Sequence, residues 1–383
     1  MASVEKRIRK NAKGKTTIRW VVRWREKGSG KEPSKSFTSK TLADEFKREI
    51  EADLQRGEYI SVGAGKVTFK DYAEEWLAMQ TFEESSREAI GGKLRNQAYP
   101  VLGGMPIGEI RPSTIQKWLK GLSGADATKK AAFAHVFTVL RAAVADELIR
   151  KNPCASDAVD APSVAPKKIQ PWSVEQVEMV REGLPERFRI FVVLGSRLGL
   201  RQGEIFGLAV EDIDFDSSTV AVRRQVIVNG AGKQYFGPPK RGRERDVPLP
   251  ESVKRELKLH FEKFPPVEIA LPWRKLDGPL VSANLVLTGA RGAALSRQSF
   301  NRDQWVPAVA YARLARTREN GTHMLRHVYA SMLLDAGESI KAVSTYLGHA
   351  DPAFTLKTYT HLLPTSDQRA RAAIDEAFGG TST

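Results

Sequence analysis

A chain of 383 residues, 41% hydrophobic and 27% charged, exceeds what one hydrophobic core organises, so two or three globular domains are expected. A single cysteine, Cys154, excludes an internal disulfide framework. No apolar run is long enough to span a bilayer, and "MASVEKRIRK" holds no apolar signal core, so a reducing, cytoplasmic setting without a membrane is expected. The net charge of +15 points to a polyanionic partner, most often nucleic acid, and 13 Lys plus Arg against 3 Glu in residues 1–40 place +10 of it in the first tenth of the chain.

In chain order, residues 14–38 alternate apolar and basic: Ile18, Trp20, Val22 and Trp24 against Arg19, Arg23 and Arg25. That pattern predicts a half-buried strand with a basic face, then a Gly-rich turn and a second strand. "TLADEFKREIEADLQRG" predicts a helix closed by Gly57, and "YISVGAGK" a linker. The basic strand face suits a DNA groove; a solvated basic tail is the alternative. A second, all-α unit begins near Val67. It holds an amphipathic helix in "TFKDYAEEWLAMQ", a turn-rich connection in "AYPVLGGMPIGEI", and helices in "RPSTIQKWLKGL" and "ATKKAAFAHVFTVLRAAVADELI" ended by "KNPCA". "DAPSVAPKKIQPW" reads as an interdomain linker. The last unit opens with helices, continues with strands in "TVAVRRQVIV", "KQYFG" and "RERDVPL", and returns to helices after "LSRQSFNRDQW".

Four stretches of this last unit carry chemistry. "GTHMLRHVYASMLLDAG" places His323, Arg326 and His327 on one helical face, because residues three and four apart are neighbours. A zinc site is one reading of two His at i and i+4, but Met324 stands where the zinc-protease pattern needs Glu, and no cysteine is near. Helix-end polarity is another. The functional reading is an anion site: Arg offers bidentate contact to phosphate, and His donates to oxygen or moves a proton. "LGLRQGEIFGL" puts Arg201 at a helix break, followed by Glu204. "GPPKRGRERDVPL" carries Lys240 at a turn. "YLGHADPAFTLKTYTHL" carries His349 and Tyr359. A lone Tyr on an amphipathic helix is usually core; here Leu356 and Leu362 are expected to supply the core contacts, leaving Tyr359 facing the site.

Taken together, the stretches "GLRQGEIFGL", "PPKRGRERDVPL", "HMLRHVYAS" and "LGHADPAFTLKTYTH", in that order, resemble a tyrosine recombinase of the bacteriophage integrase type. "FKDYAEEWL", "YPVLGGMPIGEI" and "AVADELIRKNPC" are similar to that family's helical core-binding domain, and the basic N-terminal segment to an arm-binding domain. The resemblance implies a multidomain fold, mostly α with small antiparallel β-sheets. An arm-type DNA-binding domain of a small sheet plus helix would span 1–64, and a helical (SAM-like) core-binding domain 65–160. A linker would span 161–171, and a mixed α+β catalytic domain with a C-terminal tail helix 172–383. It implies Arg201 and Arg326 as the two phosphate-binding arginines, with His323, His349 and the sheet lysine Lys240 beside them. Tyr359 would be the nucleophile, and Glu204 and His327 supporting residues. Arg19, Arg23 and Arg25 become candidate DNA contacts. Met324 departs from a common Asp, and Lys233, Arg241 and Arg243 crowd the hairpin of Lys240.

The chemistry so implied needs no metal and no cofactor. A phenol attacks a phosphodiester, cationic donors hold the added charge, Lys240 protonates the 5′ oxygen, and His323 assists proton transfer at Tyr359. The implied activity is site-specific integration, with excision, of a phage or mobile element at attachment sites. The implied partners are double-stranded DNA with core-type and arm-type sites, three further copies of the chain in a tetramer on DNA, a host DNA-bending protein and an excision directionality factor. The tail "DQRARAAIDEAF" would pack on a neighbouring protomer or on its own body. A DNA-binding regulator without catalysis and a charge-driven nucleoid protein are the competing classes; the second needs no Arg/His/Tyr constellation.

Overall fold

The computed structural model describes residues 2–10, 16–25, 32–56, 59–61, 63–164, 169–349, 351–359 and the positions Arg371 and Asp375. They form two compact units, Met1–Ala165 and Pro166–Thr383. Among the described residues, no helix is long and apolar enough to cross a membrane.

The first unit begins with an antiparallel sheet in the order β1 (Ala2–Lys10), β2 (Thr16–Trp24), β3 (Ser34–Phe37), packed on α1 (Lys40–Arg56). Strand alternation turns Val22 and Trp24 onto α1 with Ala2, Ala43 and Ile50. Arg19 and Arg23 share the opposite, exposed face, where Arg19 pairs with Arg7 of β1; Arg25 is exposed just beyond the strand. Strand β1 was hidden in a stretch that reads as a basic tail, because Lys6 occupies a position of inward parity. Lys6 stays exposed with its ammonium 5.8 Å from the Trp20 ring centroid, so a charged residue stands where the alternation calls for an apolar one.

The stretch expected as a linker is built in. Trp24 Nε1 donates to Tyr59 Oη at 2.7 Å, and Gly65 lies so near Gly108 that a Cβ there would stand 2.9 Å from the Gly108 Cα. The carboxylate of Asp53, 1% exposed on α1, accepts from Arg56 at 2.8 Å and from Arg150.

The helical layer of this unit comprises α2 (Phe69–Met79), α3 (Glu84–Lys93), α4 (Tyr99–Leu102), α5 (Pro112–Gly121) and α6 (Asp126–Ala145). Thr68 caps α2 by accepting from Asp71 N. A π-turn over Leu94–Ala98 joins α3 to α4, so helix extends into the first residues, 98–102, of the expected turn-rich connection, and turns follow from Gly103. The buried residues Leu94, Ala98 and Leu102 of this helix recur every fourth position.

The second unit surrounds α8 (Glu186–Arg197), whose residues Ile190–Ser196 are all buried. Around it lie α7 (Val174–Glu182), opened by a Ser173/Gln176 capping box, α9 (Gln202–Gly207), α10 (Glu251–Lys263), α11 (Arg297–Phe300), α12 (Val306–Tyr311), α13 (His323–Asp335), α14 (Ile340–Leu347) and α15 (Pro352–Tyr359). Gly195 lets α13 approach closely, since a Cβ there would stand 2.7 Å from Leu325 Cδ1.

Three small antiparallel sheets flank these helices. One is ordered β4 (Ile213–Asp214), β5 (Thr219–Val222), β8 (Arg245–Pro248); β6 (Gln225–Val228) pairs β7 (Gln234–Gly237), and β9 (Val267–Pro272) pairs β10 (Leu280–Leu285). The expected single strand "TVAVRRQVIV" therefore divides between two sheets. At the division Arg224 grips Asp212 through both guanidinium nitrogens, at 2.7 and 3.2 Å. The β9–β10 hairpin was not expected.

Candidate active site

The chain enters the site at a forced turn. After α8, Gly199 takes φ +66°, and a Cβ there would stand 2.4 Å from Tyr329 Cδ1, so only glycine fits. The Gly199 carbonyl accepts from Arg326 Nη1 at 2.7 Å, and Arg326 Nη2 donates to the Leu347 carbonyl. Arg326 is thus fully buried on α13, held by backbone oxygens at two helix ends. Burial first, then the neighbouring Arg201 charge, lower its pKa to about 9, which leaves it charged at neutral pH.

Arg201 follows Gly199 and caps α9. The Glu204 carboxylate reaches back to it, accepting from Arg201 N at 2.9 Å and from Arg201 Nη1 at 2.8 Å. Glu204 is itself 1% exposed and takes a second arginine: Arg245 donates through Nη1 at 3.0 Å and Nη2 at 2.7 Å. Burial would raise this carboxyl, but the hydrogen bonds and charge of Arg245, joined by Arg201, prevail and hold it at about 2. Arg245 was not anticipated. The signal was strand parity: Arg245, Val247 and Leu249 alternate inward on β8, which places a guanidinium in a row of buried side chains.

The histidines divide unequally. The rings of His323 and His327 meet edge to face at 4.7 Å. His327 Nδ1 lies 2.7 Å from Tyr359 Oη. The expected partner of Tyr359 was His323; the helix instead turns His327 toward α15 and leaves His323 exposed at the head of α13. Desolvation and then Arg326 lower His327 to about 4. His323 also moves down, through desolvation against its neighbours and the charges of His327, Arg326 and Arg201, although much of its surface is open to solvent. His349 follows Gly348, which ends α14 at φ +62°, and its Nδ1 lies 2.7 Å from Thr355 Oγ1. Desolvation, then the charges of Arg326 and Arg201, lower it to about 3.

Leu356 was expected to supply core contacts and Tyr359 to be free of them; Leu356 is instead exposed, and Tyr359 meets His327 from a buried position. Thr355 and Tyr359, one turn apart, are 0% and 2% exposed, while Leu356 is 44% exposed. Their shared helical face, not residue hydrophobicity, decides which side turns inward. Burial raises the Tyr359 phenol to about 12, against the opposing pull of Arg326 and Arg201. Lys240 is exposed on a short turn, Lys240–Gly242, five positions ahead of Arg245, and takes no part in the hydrogen bonds that join the cluster. Leu362, His361 and nearly all of the tail "DQRARAAIDEAF" lie outside the described residues. Among the described residues no group of three His, Cys, Asp or Glu is placed to hold a metal ion.

A strong cationic centre results: Arg201 and Arg245 share one buried carboxylate, Arg326 lies near them on backbone carbonyls, and imidazoles and a phenol stand beside them. Such a centre suits a tetrahedral anion and a nucleophile that must be kept apart from water.

Known proteins similar to this chain fall in one family. A model described as the phage integrase family matches residues 174–366, and one described as the phage integrase central domain matches residues 69–158. The integrase of Mycobacterium phage FRAT1 is 27% identical over 319 residues, 82% of this chain and 87% of its own. A tyrosine recombinase XerC-like protein of Caldanaerobacter subterraneus subsp. tengcongensis is 27% identical over 393 residues, 95% of this chain and 97% of its own. Among solved structures, the Tn1549 transposon integrase in complex with transposon right end DNA matches at TM-score 0.66 and 21% identity, over 80% of this chain and 99% of that one. A lambda integrase tetramer bound to a Holliday junction matches at 0.58 and 18%, over 88% and 91%.

Proposed function

This chain belongs to the phage integrase family, and from that membership we propose how it recombines DNA site-specifically and which residues carry each step. Tyr359 Oη attacks the scissile phosphorus; the P–O5′ bond breaks, and a 3′-phosphotyrosine forms. Arg201 and Arg326 hold the non-bridging oxygens, with His349 as a further donor. Thr355 occupies His349 Nδ1, which leaves Nε2–H to donate. His327, kept neutral, takes the phenol proton at Nδ1 as the bond forms. With the phenol pushed up and the imidazole pushed down, full proton transfer before attack is disfavoured. His323 contributes at the phosphate rather than at the phenol. Lys240 protonates the leaving 5′ oxygen, brought in by movement of its turn when DNA is seated. Resealing is the reverse attack by a 5′-hydroxyl of another strand, and the energy of the broken bond is kept in the phosphotyrosine.

The observation that carries this reading is the approach of Tyr359, from the last described helix, to within 2.7 Å of His327, two helical segments upstream and next to Arg326. The substrate is double-stranded DNA at a phage or mobile-element attachment site, bound by four copies of the chain, in the bacterial cytoplasm. The sheet face bearing Arg19 and Arg23, with Arg25 beside it, contacts arm-type DNA, and the helical layer and catalytic unit clasp core-type DNA. Residues 1–64, 65–160 and 172–383 act as the three functional domains, joined at 161–171. A host DNA-bending protein and an excision directionality factor assist, because bent DNA lets one protomer reach both kinds of site.

The test is covalent trapping. The protein is incubated in EDTA with a randomised pool of nicked duplexes, and adducts are recovered from a denaturing gel. The expected result is a protein–DNA adduct that enriches one sequence and is lost in Tyr359→Phe. Tight binding of a selected duplex with no adduct would sink this reading in favour of a non-catalytic regulator.

A further inference from the structure

Arg245 is a buried cation with no place in the steps above. Its side chain is 3% exposed, and every segment it touches carries a group of the proposed site. Its own strand, β8, follows the turn of Lys240. Its Nη1 and Nη2 bind both oxygens of Glu204, the carboxylate that holds Arg201. Its Nε donates to the Tyr346 carbonyl at 2.7 Å, near the end of α14, from which His349 follows. The backbone of Gly348 runs against it: a Cβ at that position would stand 3.0 Å from Arg245 Cδ. Each kind of guanidinium nitrogen thus has a protein partner, which ties Arg245 to Glu204 and to the end of α14 at once.

We propose that Arg245 is a positioning residue that shares the Glu204 carboxylate with Arg201, leaving Arg201 charge and donors for the phosphate, and that braces the Gly348–His349 backbone beside it. The argument is one of charge balance. A fully buried carboxylate demands a counter-ion. With Arg245 present, one bidentate partner meets that demand and Arg201 spends a single side-chain donor, Nη1. Without Arg245, Arg201 becomes the sole counter-ion of Glu204, turns its fork inward and is lost to the substrate. Lys in place of Arg245 would carry the charge but could not bridge both carboxylate oxygens and the Tyr346 carbonyl at once.

This inference rests on the recombinase reading, and its test separates the two. The full-length protein, Arg245→Met, Arg245→Lys, Glu204→Gln and the Met/Gln double variant are compared on the nicked duplex selected by the wild type. The duplex is made with either a phosphate or a neutral methylphosphonate at the scissile position. Single-turnover cleavage is read at saturating DNA, with DNA affinity and thermal melting measured alongside. If Arg245 acts through the cation at the phosphate, Arg245→Met slows phosphate cleavage by about 100-fold, the scale of losing one charge-stabilising donor, with affinity little changed. The defect shrinks to below about tenfold on the methylphosphonate, which needs less charge stabilisation. Glu204→Gln, by removing the carboxylate that traps Arg201, makes the double variant faster than Arg245→Met alone. Equal slowing on both substrates, or losses that simply multiply in the double variant, would overturn the proposal and reduce Arg245 to a packing role. Should Arg245→Met fail to fold, Arg245→Lys answers the same question: a smaller defect that shrinks on the methylphosphonate supports the proposal, and an equal one refutes it. Absence of any wild-type adduct defeats the recombinase reading itself.

Discussion

Replacing His327 with Ala removes the acceptor within 2.7 Å of the Tyr359 hydroxyl. Two effects of different size follow. The buried phenol loses its partner, which costs the docked position of α15 about 1–3 kcal/mol, the penalty for an unsatisfied buried polar group. The reaction loses its proton acceptor, which slows cleavage by about 10²–10⁴-fold, the usual contribution of a positioned general base. The first effect frees the nucleophile and the second disables it, and the second is larger, so the net expectation is a slow enzyme. The pH profile distinguishes them. In the wild type His327 sits at about 4 and accepts protons only when neutral, so the rate falls as pH drops through that value and is flat from there to the neutral range, where Arg326 is still charged. In His327→Ala the phenol, raised to about 12, must ionise unaided, so the rate climbs with pH across the same range. Single-turnover adduct formation on the selected nicked duplex, measured across pH, reads both. A variant that cleaves as fast as the wild type with an unchanged profile would refute the role of His327; one that cleaves faster would make it a latch on the resting state.

Further outcomes follow from the same geometry. Glu204 sits at about 2 in the folded chain against 4.5 when free, so it contributes stability that is complete above about pH 4.5 and lost as pH falls toward 2, about 3 kcal/mol in all. Acid unfolding of Glu204→Gln should be flatter across that window while the variant is less stable at neutral pH; a parallel curve would show that Glu204 is not the group that titrates. Gly348→Ala forces a side chain into the left-handed region and against Arg245, and should cost about 1–2 kcal/mol, read as a lowered melting temperature. The same variant should cleave slowly even below its melting point, because His349 is the next residue.

The two strands β1 and β2 illustrate where pattern suffices. Strand β2 was legible because tryptophan and valine alternate with arginine, whereas β1 was not, since exposed Lys6, paired with Trp20, interrupts its apolar alternation. The hairpin β9–β10 escaped notice although burial alternates along both strands, because apolar Ala270 and Leu280 stand at exposed positions and blur the pattern in the residues. The helix bridging α3 and α4 was masked by glycines and Pro100, which a π-turn accommodates.

Arg201, Lys240, His323, Arg326, His349 and Tyr359 were legible as candidates in the sequence alone, because four short stretches in a fixed order carry the resemblance that marks them. The partnerships among them were decided by tertiary structure. Which of two histidines on one helix meets a tyrosine 32 residues away depends on how α13 and α15 are rotated against each other, and that is set by packing of the whole core. The same holds for Arg245: one-dimensional pattern shows that it points inward, but only the fold brings it to a carboxylate 41 residues earlier and a carbonyl 101 residues later. A buried charge is tolerated solely where distant segments supply its partners, so its place is a property of the assembled core and not of any local stretch.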